Sequence, residues 1–232
     1  MNTANREIVF FLPTRKGSER VLNKNTREFA DYKGGLLELK LSQLLGVNDI
    51  PIILSTNDPE SISVANRFNT KRIIIIERPD ELCLSTTRLD DFIEYVPEIT
   101  KAEHILWTHT TSPFLDSKTY KSAINLYFKA IEEGYDSMMS VDRIQNFIWD
   151  PEKKDMLNYD RTHLKWPRTQ DLKPLYGINS GFFINSRENY IRFKDRIGQN
   201  PYLYELGTIE AFDIDWEENF KTAEQLFKIQ NI

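Results

Sequence analysis

At 232 residues, 40% hydrophobic and 28% charged, the chain has the composition of a globular protein and is long enough to bury a large core in one domain, 1–232. Its formal net charge of −5 argues against a broad nucleic-acid-binding face, while a local basic pocket stays compatible with it. Cys83 is the single cysteine, which excludes an internal disulfide and a thiolate metal cluster.

No apolar run reaches transmembrane length, and the opening Met1–Glu7 leads into a strand without the basic start and apolar core of a signal peptide. The expectation is a cytoplasmic protein with no membrane and no nucleic-acid partner. Neither an internal repeat nor a low-complexity segment is present.

In chain order, short β-branched and aromatic runs predict strands near 7–12, 51–55, 72–77, 103–108, 136–142 and 179–185. Amphipathic stretches between them predict helices at 36–46, 59–69, 87–96, 117–132, 187–196 and 216–229. The fourth helix has the clearest pattern: Tyr120, Ile124, Tyr127, Phe128 and Ile131 recur at helical spacing, with Asp116 or Ser117 to cap it and Gly134 to end it. In the last helix Phe220, Ala223, Phe227 and Leu226 share a side, and Asp215 caps or precedes it. Alternation of strands and helices implies an α/β fold, a mostly parallel sheet covered by helices on both faces. Residues 143–177 break the alternation with a polar stretch rich in Trp, Pro and Arg, too long for an ordinary connection.

Chemistry-bearing residues begin just after the first strand. Pro13-Thr-Arg-Lys-Gly-Ser-Glu-Arg-Val-Leu-Asn-Lys-Asn25 is a basic loop that places backbone N–H groups and cations where a polyphosphate could lie, although it has neither P-loop nor dinucleotide-fold spacing. Further along stand Ser55-Thr-Asn-Asp58, Arg78-Pro-Asp-Glu-Leu82, Thr111-Ser-Pro113, Arg168-Thr-Gln-Asp-Leu172, Asn179-Ser-Gly181 and Asp213-Ile-Asp215. In this order, from about Ile8 to about Phe227, the motifs resemble those of the acylneuraminate cytidylyltransferase family, the CMP-sialic acid synthetases and their relatives. The resemblance implies a Rossmann-like nucleotidyltransferase sheet. It also implies transfer of CMP from CTP to the anomeric hydroxyl of a nonulosonic (sialic-acid-like) sugar acid, with release of pyrophosphate, which activates a sugar for surface glycans such as capsule or lipopolysaccharide. In such a reaction negative charge builds on phosphoryl oxygens, so the protein must supply cations, directed donors and a divalent metal.

By the same resemblance Arg15, Ser18, Lys24 and Asn25 fall on phosphate- and cytidine-binding positions, and Arg78 on the position that contacts base or ribose. Arg15, Lys24 and Asp215 are the implied catalytic residues. Arg15 offers a planar fork to phosphate and Lys24 a mobile point charge. Lys16 reads as a solvated charge, and Arg20 is open between that and a ligand role. Asp213 and Asp215 flank Ile214, and in an extended segment residues two apart point to one side, which makes a hard oxygen site for Mg²⁺. A turn or helix cap is the alternative for such a pair. His109, Arg168, Gln170 and Asn179 are the implied acceptor-binding residues. His109-Thr110 stands where the family usually has Gln-Pro, Cys83-Leu-Ser85 where it has Ala-x-Asp, and Asn179-Ser-Gly where it has Asn-Gly-Ala, so the departures gather on the acceptor side. The 143–177 excursion is expected to pack across a homodimer and reach the partner's site, with Trp149, Trp166, Tyr159 and Tyr176 as interface residues; an intrachain flap is the alternative. Cys83, between Leu82 and Leu84, reads as a buried structural thiol. Two other functions remain open: a cytidylyltransferase for a different, even phosphorylated, acceptor, and an inactive nucleotide-binding homologue.

Overall fold

A computed structural model describes residues 7–230, so the leader reading of the first residues lies outside what is described. One seven-stranded sheet organises the chain, in the order β3-β2-β1-β4-β8-β5-β9. Its strands are β1 (Ile8–Pro13), β2 (Ile52–Thr56), β3 (Ile73–Glu77), β4 (His104–Thr108), β5 (Ser137–Ile144), β8 (Leu175–Ser186) and β9 (Pro201–Glu205). β8 runs antiparallel to both β4 and β5, whereas the pairs β1–β2, β2–β3, β1–β4 and β5–β9 are parallel. The sheet is therefore mostly parallel, and its central parallel strands β1, β2 and β4 read as largely apolar runs because both faces are covered.

Side chains alternate along each strand, and the two faces collect separate cores. Phe10 and Leu12 of β1, Leu54, Leu106, Phe182 and Ile184 face one way. There they meet Leu37, Leu41 and Leu44 of α1 (Gly35–Leu45), Val64 and Ala65 of α2 (Pro59–Asn66), and Tyr120, Ala123, Ile124 and Tyr127 of α4 (Ser117–Glu132). Val9, Phe11, Ile53, Ile105, Trp107 and Phe183 face the other way, against Ile93 of α3 (Leu89–Tyr95) and Tyr190 of α5 (Arg187–Phe193). A smaller cluster joins Phe220 and Ala223 of α6 (Glu217–Gln230) to Val21, Phe29, Leu36, Leu39 and Ile214. This third cluster matters for function because it clamps the basic loop and the Asp-Ile-Asp segment onto α1.

Local chemistry accounts for the ends of these elements. Asp58 accepts from the Glu60 and Ser61 amides and starts α2, with Pro59 at its first turn. Asp116 accepts from the Lys118 and Thr119 amides and starts α4, and Gly134 at φ 95° follows its end. Lys194 at φ 54° stops α5 three residues short of the expected end. None of the described helices is long and apolar enough to cross a membrane.

Two departures from the sequence reading concern the far edge of the sheet. β9 is absent from the expected elements: it is a short, half-buried edge strand that opens with a proline, and its apolar run is only the three residues Tyr202, Leu203 and Tyr204. β8 begins at Leu175 instead of 179, and β5 continues to Ile144, so the excursion is rooted in a two-stranded ribbon pairing Val141–Ile144 with Leu175–Ile178. A register shift between Met139 and Val141, with Ser180 at φ 59°, separates the ribbon from the sheet proper. Within the excursion β6 (Trp149–Asp150) pairs with β7 (Asp155–Met156). Asn158 is buried beneath them and bridges the carbonyls of Asn146 and Lys173 through its amide nitrogen.

Candidate active site

The carboxyl ends of β1, β3 and β4 open on one cleft, the position at which open α/β sheets present ligands. The cleft encloses about 350 Å³, and its wall is built from Arg15, Ser18, Arg20, Lys24 and Asn25 of the basic loop, Arg78 after β3, and His109, Thr110 and Thr111 after β4. Arg88 and Glu19 complete its charged lining, so cations greatly outnumber carboxylates there although the whole chain is acidic. A local field of this kind concentrates a polyanion.

Each wall element is held by specific bonds. Asn25 accepts from the Thr110 hydroxyl at 2.8 Å, which ties the basic loop to the loop after β4. Gly35 follows at φ 66°, where a Cβ would stand 2.2 Å from the Arg27 carbonyl oxygen, so the turn from the basic loop into α1 requires glycine. Arg78 is buried: it donates to the Thr14 carbonyl at 2.5 Å and to Cys83 Sγ at 3.0 Å, and its guanidinium lies 4.3 Å from the centre of the Phe92 ring. Cys83 is thus a buried thiol that orients Arg78.

Lys24 is the junction of the site. Its Nζ donates to the Ile214 carbonyl at 2.8 Å, between the two carboxylates of Asp213-Ile-Asp215. Burial lowers its pKa, and Asp213 and Asp215 pull the other way without overcoming it. Asp213 has its carboxyl pushed up chiefly by burial, with the charge of Asp215 adding to this and a Thr111 hydrogen bond and Lys24 opposing it. The Ile214 amide donates to the Thr111 carbonyl at 3.0 Å and so docks the acidic segment on the loop after β4. Asp215 precedes α6 by two residues and pairs with Arg20 at 2.9 Å, while the Trp216 amide donates to Asn219 Oδ1 in the first turn of the helix.

The loop after β4 is pinned from behind. Lys40 of α1 is fully buried and donates to the carbonyls of Ser112 at 2.8 Å and Leu115 at 3.3 Å, with the Tyr120 hydroxyl at 2.9 Å. Desolvation holds its pKa well below that of an ordinary lysine. His109 faces the cleft in part, but its Nε2 is enclosed without a hydrogen-bond partner. Burial, then the charges of Arg196, Lys24 and Lys40, push its pKa down to about 3. The imidazole is neutral at neutral pH.

A family model for cytidylyltransferases matches residues 9–231. The chain belongs to the cytidylyltransferase family. It is 23% identical over 224 residues to N-acylneuraminate cytidylyltransferase of Streptococcus agalactiae serotype III (strain NEM316), which covers 91% of this chain and 51% of that protein. With N-acylneuraminate cytidylyltransferase A of Danio rerio it shares 29% identity over 226 residues, 95% of this chain and 50% of that one. The chain thus spans about half the length of these curated relatives. Among solved structures it resembles CMP:2-keto-3-deoxy-manno-octonic acid synthetase complexed with CTP, with a TM-score of 0.63 at 14% identity over 97% of this chain and 99% of that one. It likewise resembles 4-diphosphocytidyl-2C-methyl-D-erythritol synthase, with a TM-score of 0.64 at 12% identity over 96% and 100% of the two chains. At these identities the structural likeness shows the shared nucleotidyltransferase fold.

In this cytidylyltransferase chain Arg15, Ser18, Lys24, Asn25, Arg78 and His109 line the cleft, and Asp213 and Asp215 stand at its edge through Lys24 and Arg20. Arg168, Gln170 and Asn179 do not line it. Arg168 is exposed and makes a two-pronged pair with Asp171 at 2.8 and 3.0 Å, and the Gln170 carbonyl accepts from Gln145. Both ends of the Asn179 amide are engaged, the oxygen by the Ser140 hydroxyl and the Gly181 amide and the nitrogen by Asp142, so within one chain it secures the bulge of β8. Sequence reasoning passed over Thr110, Thr111, Lys40 and Phe92. Thr110 and Thr111 alone carried a sign, Thr110 in the altered His109-Thr110 pair and Thr111 in the Thr-Ser-Pro motif.

Among the described residues no group of three or more His, Cys, Asp or Glu side chains forms a metal cage. The Asp213–Asp215 pair nevertheless fits Mg²⁺, which keeps several waters and takes one or two carboxylates plus substrate phosphates. Burial and the neighbouring charge both disfavour ionised Asp213, a cost that a hard dication would relieve.

Proposed function

We propose that the chain transfers the cytidylyl group of CTP to the anomeric hydroxyl of a nonulosonic sugar acid and releases pyrophosphate. The observation that carries this reading is the convergence of Lys24 with Asp213 and Asp215 at the mouth of a cationic cleft, because a phosphoryl-transfer site needs anion stabilisers and acidic metal or base groups together. In this reading Arg15, Ser18 and Asn25 hold the triphosphate, and Arg78, fixed by Thr14 and Cys83, borders the nucleoside end. Lys24 supports the charge that grows on the α-phosphate. Asp215 or Asp213 takes the proton of the attacking hydroxyl, directly or through water. Mg²⁺, when bound by Asp213 and Asp215, would neutralise phosphate charge. The names of the curated relatives support a sialic-acid-like acceptor for this chain.

The protein is further proposed to work as a cytoplasmic homodimer. Trp149, Leu157, Leu164 and Trp166 of the excursion are all about half exposed or more, an apolar surface unusual for a monomer and suited to a second copy. Across that interface Arg168 and Gln170 would approach the partner's acceptor pocket.

A second reading, a different acceptor with CTP still the donor, is favoured by His109, since imidazole cannot offer the paired donor and acceptor of the family's usual glutamine. The deciding experiment is pyrophosphate release from each of the four ribonucleoside triphosphates against a panel of sugar acids and sugar phosphates. CTP-specific release with a sugar acid is the expected result. Release only with a sugar phosphate establishes the second reading, and no release with any acceptor despite CTP binding refutes both.

A further inference from the structure

Lys40, at 0% exposure, is the most deeply buried cation among the described residues, and the bonds around its Nζ fix where every proton lies. Thr108 Oγ1 stands 2.8 Å from the Gly181 carbonyl oxygen, which can only accept, so the Thr108 proton is committed there. Thr108 Oγ1 also stands 2.7 Å from the Tyr120 hydroxyl, a contact that needs a proton and can take it only from Tyr120. The Tyr120 oxygen, 2.9 Å from Nζ, is then left to accept from Lys40, as the Ser112 and Leu115 carbonyls do at 2.8 and 3.3 Å. Three acceptors require three N–H donors, so this chain of bonds selects the ammonium against the desolvation that disfavours it.

A buried ammonium is a costly way to fill space, because an apolar side chain of the same length would pack there without the desolvation penalty. Its place in the fold indicates what it does. Lys40 and Gln43, three residues apart on α1, grip the loop after β4 from one face, Lys40 at the Ser112 and Leu115 carbonyls and Gln43 Nε2 at 2.6 Å from the Pro113 oxygen. The residue before Ser112 is Thr111, whose carbonyl accepts from the Ile214 amide at 3.0 Å and whose side chain hydrogen-bonds Asp213. Nearer its N-terminus the same helix holds the basic loop, the Leu37 amide donating to the Asn25 carbonyl at 2.8 Å. One helix therefore registers both halves of the site, the cations of the basic loop and the carboxylates of Asp213-Ile-Asp215.

We propose that Lys40 is a positioning residue for the transfer step: as an ammonium it fixes the loop after β4 to α1, and Thr111 thereby sets Asp213 and Ile214 at Lys24. Lys40 lies beneath the cleft wall and lines no part of the cleft, so it acts through the loop and touches no substrate. The inference rests on the cytidylyl-transfer reading above, and it adds a residue whose effect falls on the rate and not on nucleotide binding.

The test uses the full chain with Lys40→Met, which keeps the length of the side chain, and Tyr120→Phe, which removes one of the three acceptors and guards against a Met variant that fails to fold. Lys40→Met should lower kcat by about two orders of magnitude, the scale for a displacement of about 1 Å at a reacting group, and keep the KM for CTP within about threefold. Tyr120→Phe should lower kcat in the same sense and by less. In a double-mutant cycle Thr111→Val should absorb the effect, so that adding Lys40→Met to it costs no more than about threefold further, because both act through one link. Hydrogen exchange gives a readout independent of turnover: in Lys40→Met the Ile214 amide should exchange about tenfold faster or more, while the Phe10 amide, bonded to Pro51 at the far end of the sheet, is unchanged. Wild-type kcat in folded Lys40→Met, or in Tyr120→Phe where the Met variant does not fold, overturns the proposal, as do a loss confined to the KM for CTP, losses that multiply in the cycle, or equal acceleration at both amides. Absence of pyrophosphate release from the wild type defeats the transfer reading; unchanged exchange at Ile214 in Lys40→Met defeats the positioning role alone.

Discussion

Replacing His109 by glutamine should make the protein less sensitive to acid. In the folded chain its imidazole gains a proton only near pH 3, because burial and the cations Arg196, Lys24 and Lys40 oppose the charged form. In the unfolded chain the same imidazole protonates near its ordinary 6.5. A base whose folded pKa is depressed costs nothing above the unfolded value, and it removes stability as pH falls from 6.5 toward the folded value. Two pH units below 6.5 the unfolded state is favoured by about two decades of proton binding, at about 1.36 kcal/mol each, or roughly 2–3 kcal/mol. The His109→Gln variant lacks this linkage, and all other groups act on both proteins alike. Urea unfolding at pH 7 and pH 4.5 should therefore show the wild type losing about 2–3 kcal/mol more than the variant over that interval. A parallel loss in the two proteins would show that water reaches Nε2 and that His109 is an ordinary cleft-wall histidine.

Other expectations follow from the same geometry. Lys24→Met should slow turnover by roughly two to three orders of magnitude while CTP still binds, the scale for losing one transition-state charge stabiliser; single-turnover kinetics at saturating CTP checks this, and a change limited to CTP affinity would make Lys24 a binding residue only. Asp213→Ala and Asp215→Ala should each abolish turnover and leave the melting temperature within a few degrees, as neither side chain packs in the main core; Mg²⁺-dependent turnover at the wild-type rate in both variants would remove the metal assignment. Deleting 145–174, with a short Gly-containing turn joining the ribbon, should give a soluble, inactive monomer, and light scattering that finds the intact chain monomeric at micromolar concentration would end the dimer proposal.

The legible part of the fold is the part written in strong periodicity. Buried parallel strands such as Ile8-Val-Phe-Phe-Leu12 and the stripe of Tyr120, Ile124 and Tyr127 in α4 can form little else. β9 escaped because an edge strand needs neither a continuous apolar run nor alternation, and the ribbon at the root of the excursion escaped because its partners are about 35 residues apart and mostly half exposed. In the site, the candidate residues could be named beforehand because they lie in ordered motifs that resemble a family's; taken alone, cations after a strand and carboxylates two apart leave a solvated loop or a helix cap open. Lys40 could not. Its sequence setting is an amphipathic helix in which a lysine ordinarily faces solvent, and only tertiary packing turns it into the buried support of the loop that carries His109 and Thr111.

The cations around the cleft differ in exposure, and so in how each would act on an anionic substrate. Over the basic loop, Arg15 and Arg20 are solvated, so they attract a polyphosphate at long range with little penalty for standing empty, and their attraction weakens as salt rises. Arg78 is buried, so it contributes little at long range, but its interaction with an anion that displaces the last water would be strong, geometric and much less sensitive to salt. Lys24 is intermediate, half sealed and already shared between Asp213 and Asp215. The cleft thus grades its cations from wet to dry, from the basic loop toward Arg78 at the end of β3. Replacing Arg20 by methionine should accordingly lessen the salt dependence of CTP binding more than replacing Arg78 does, as a titration across ionic strength would show, because only the wet end of the gradient is open to screening.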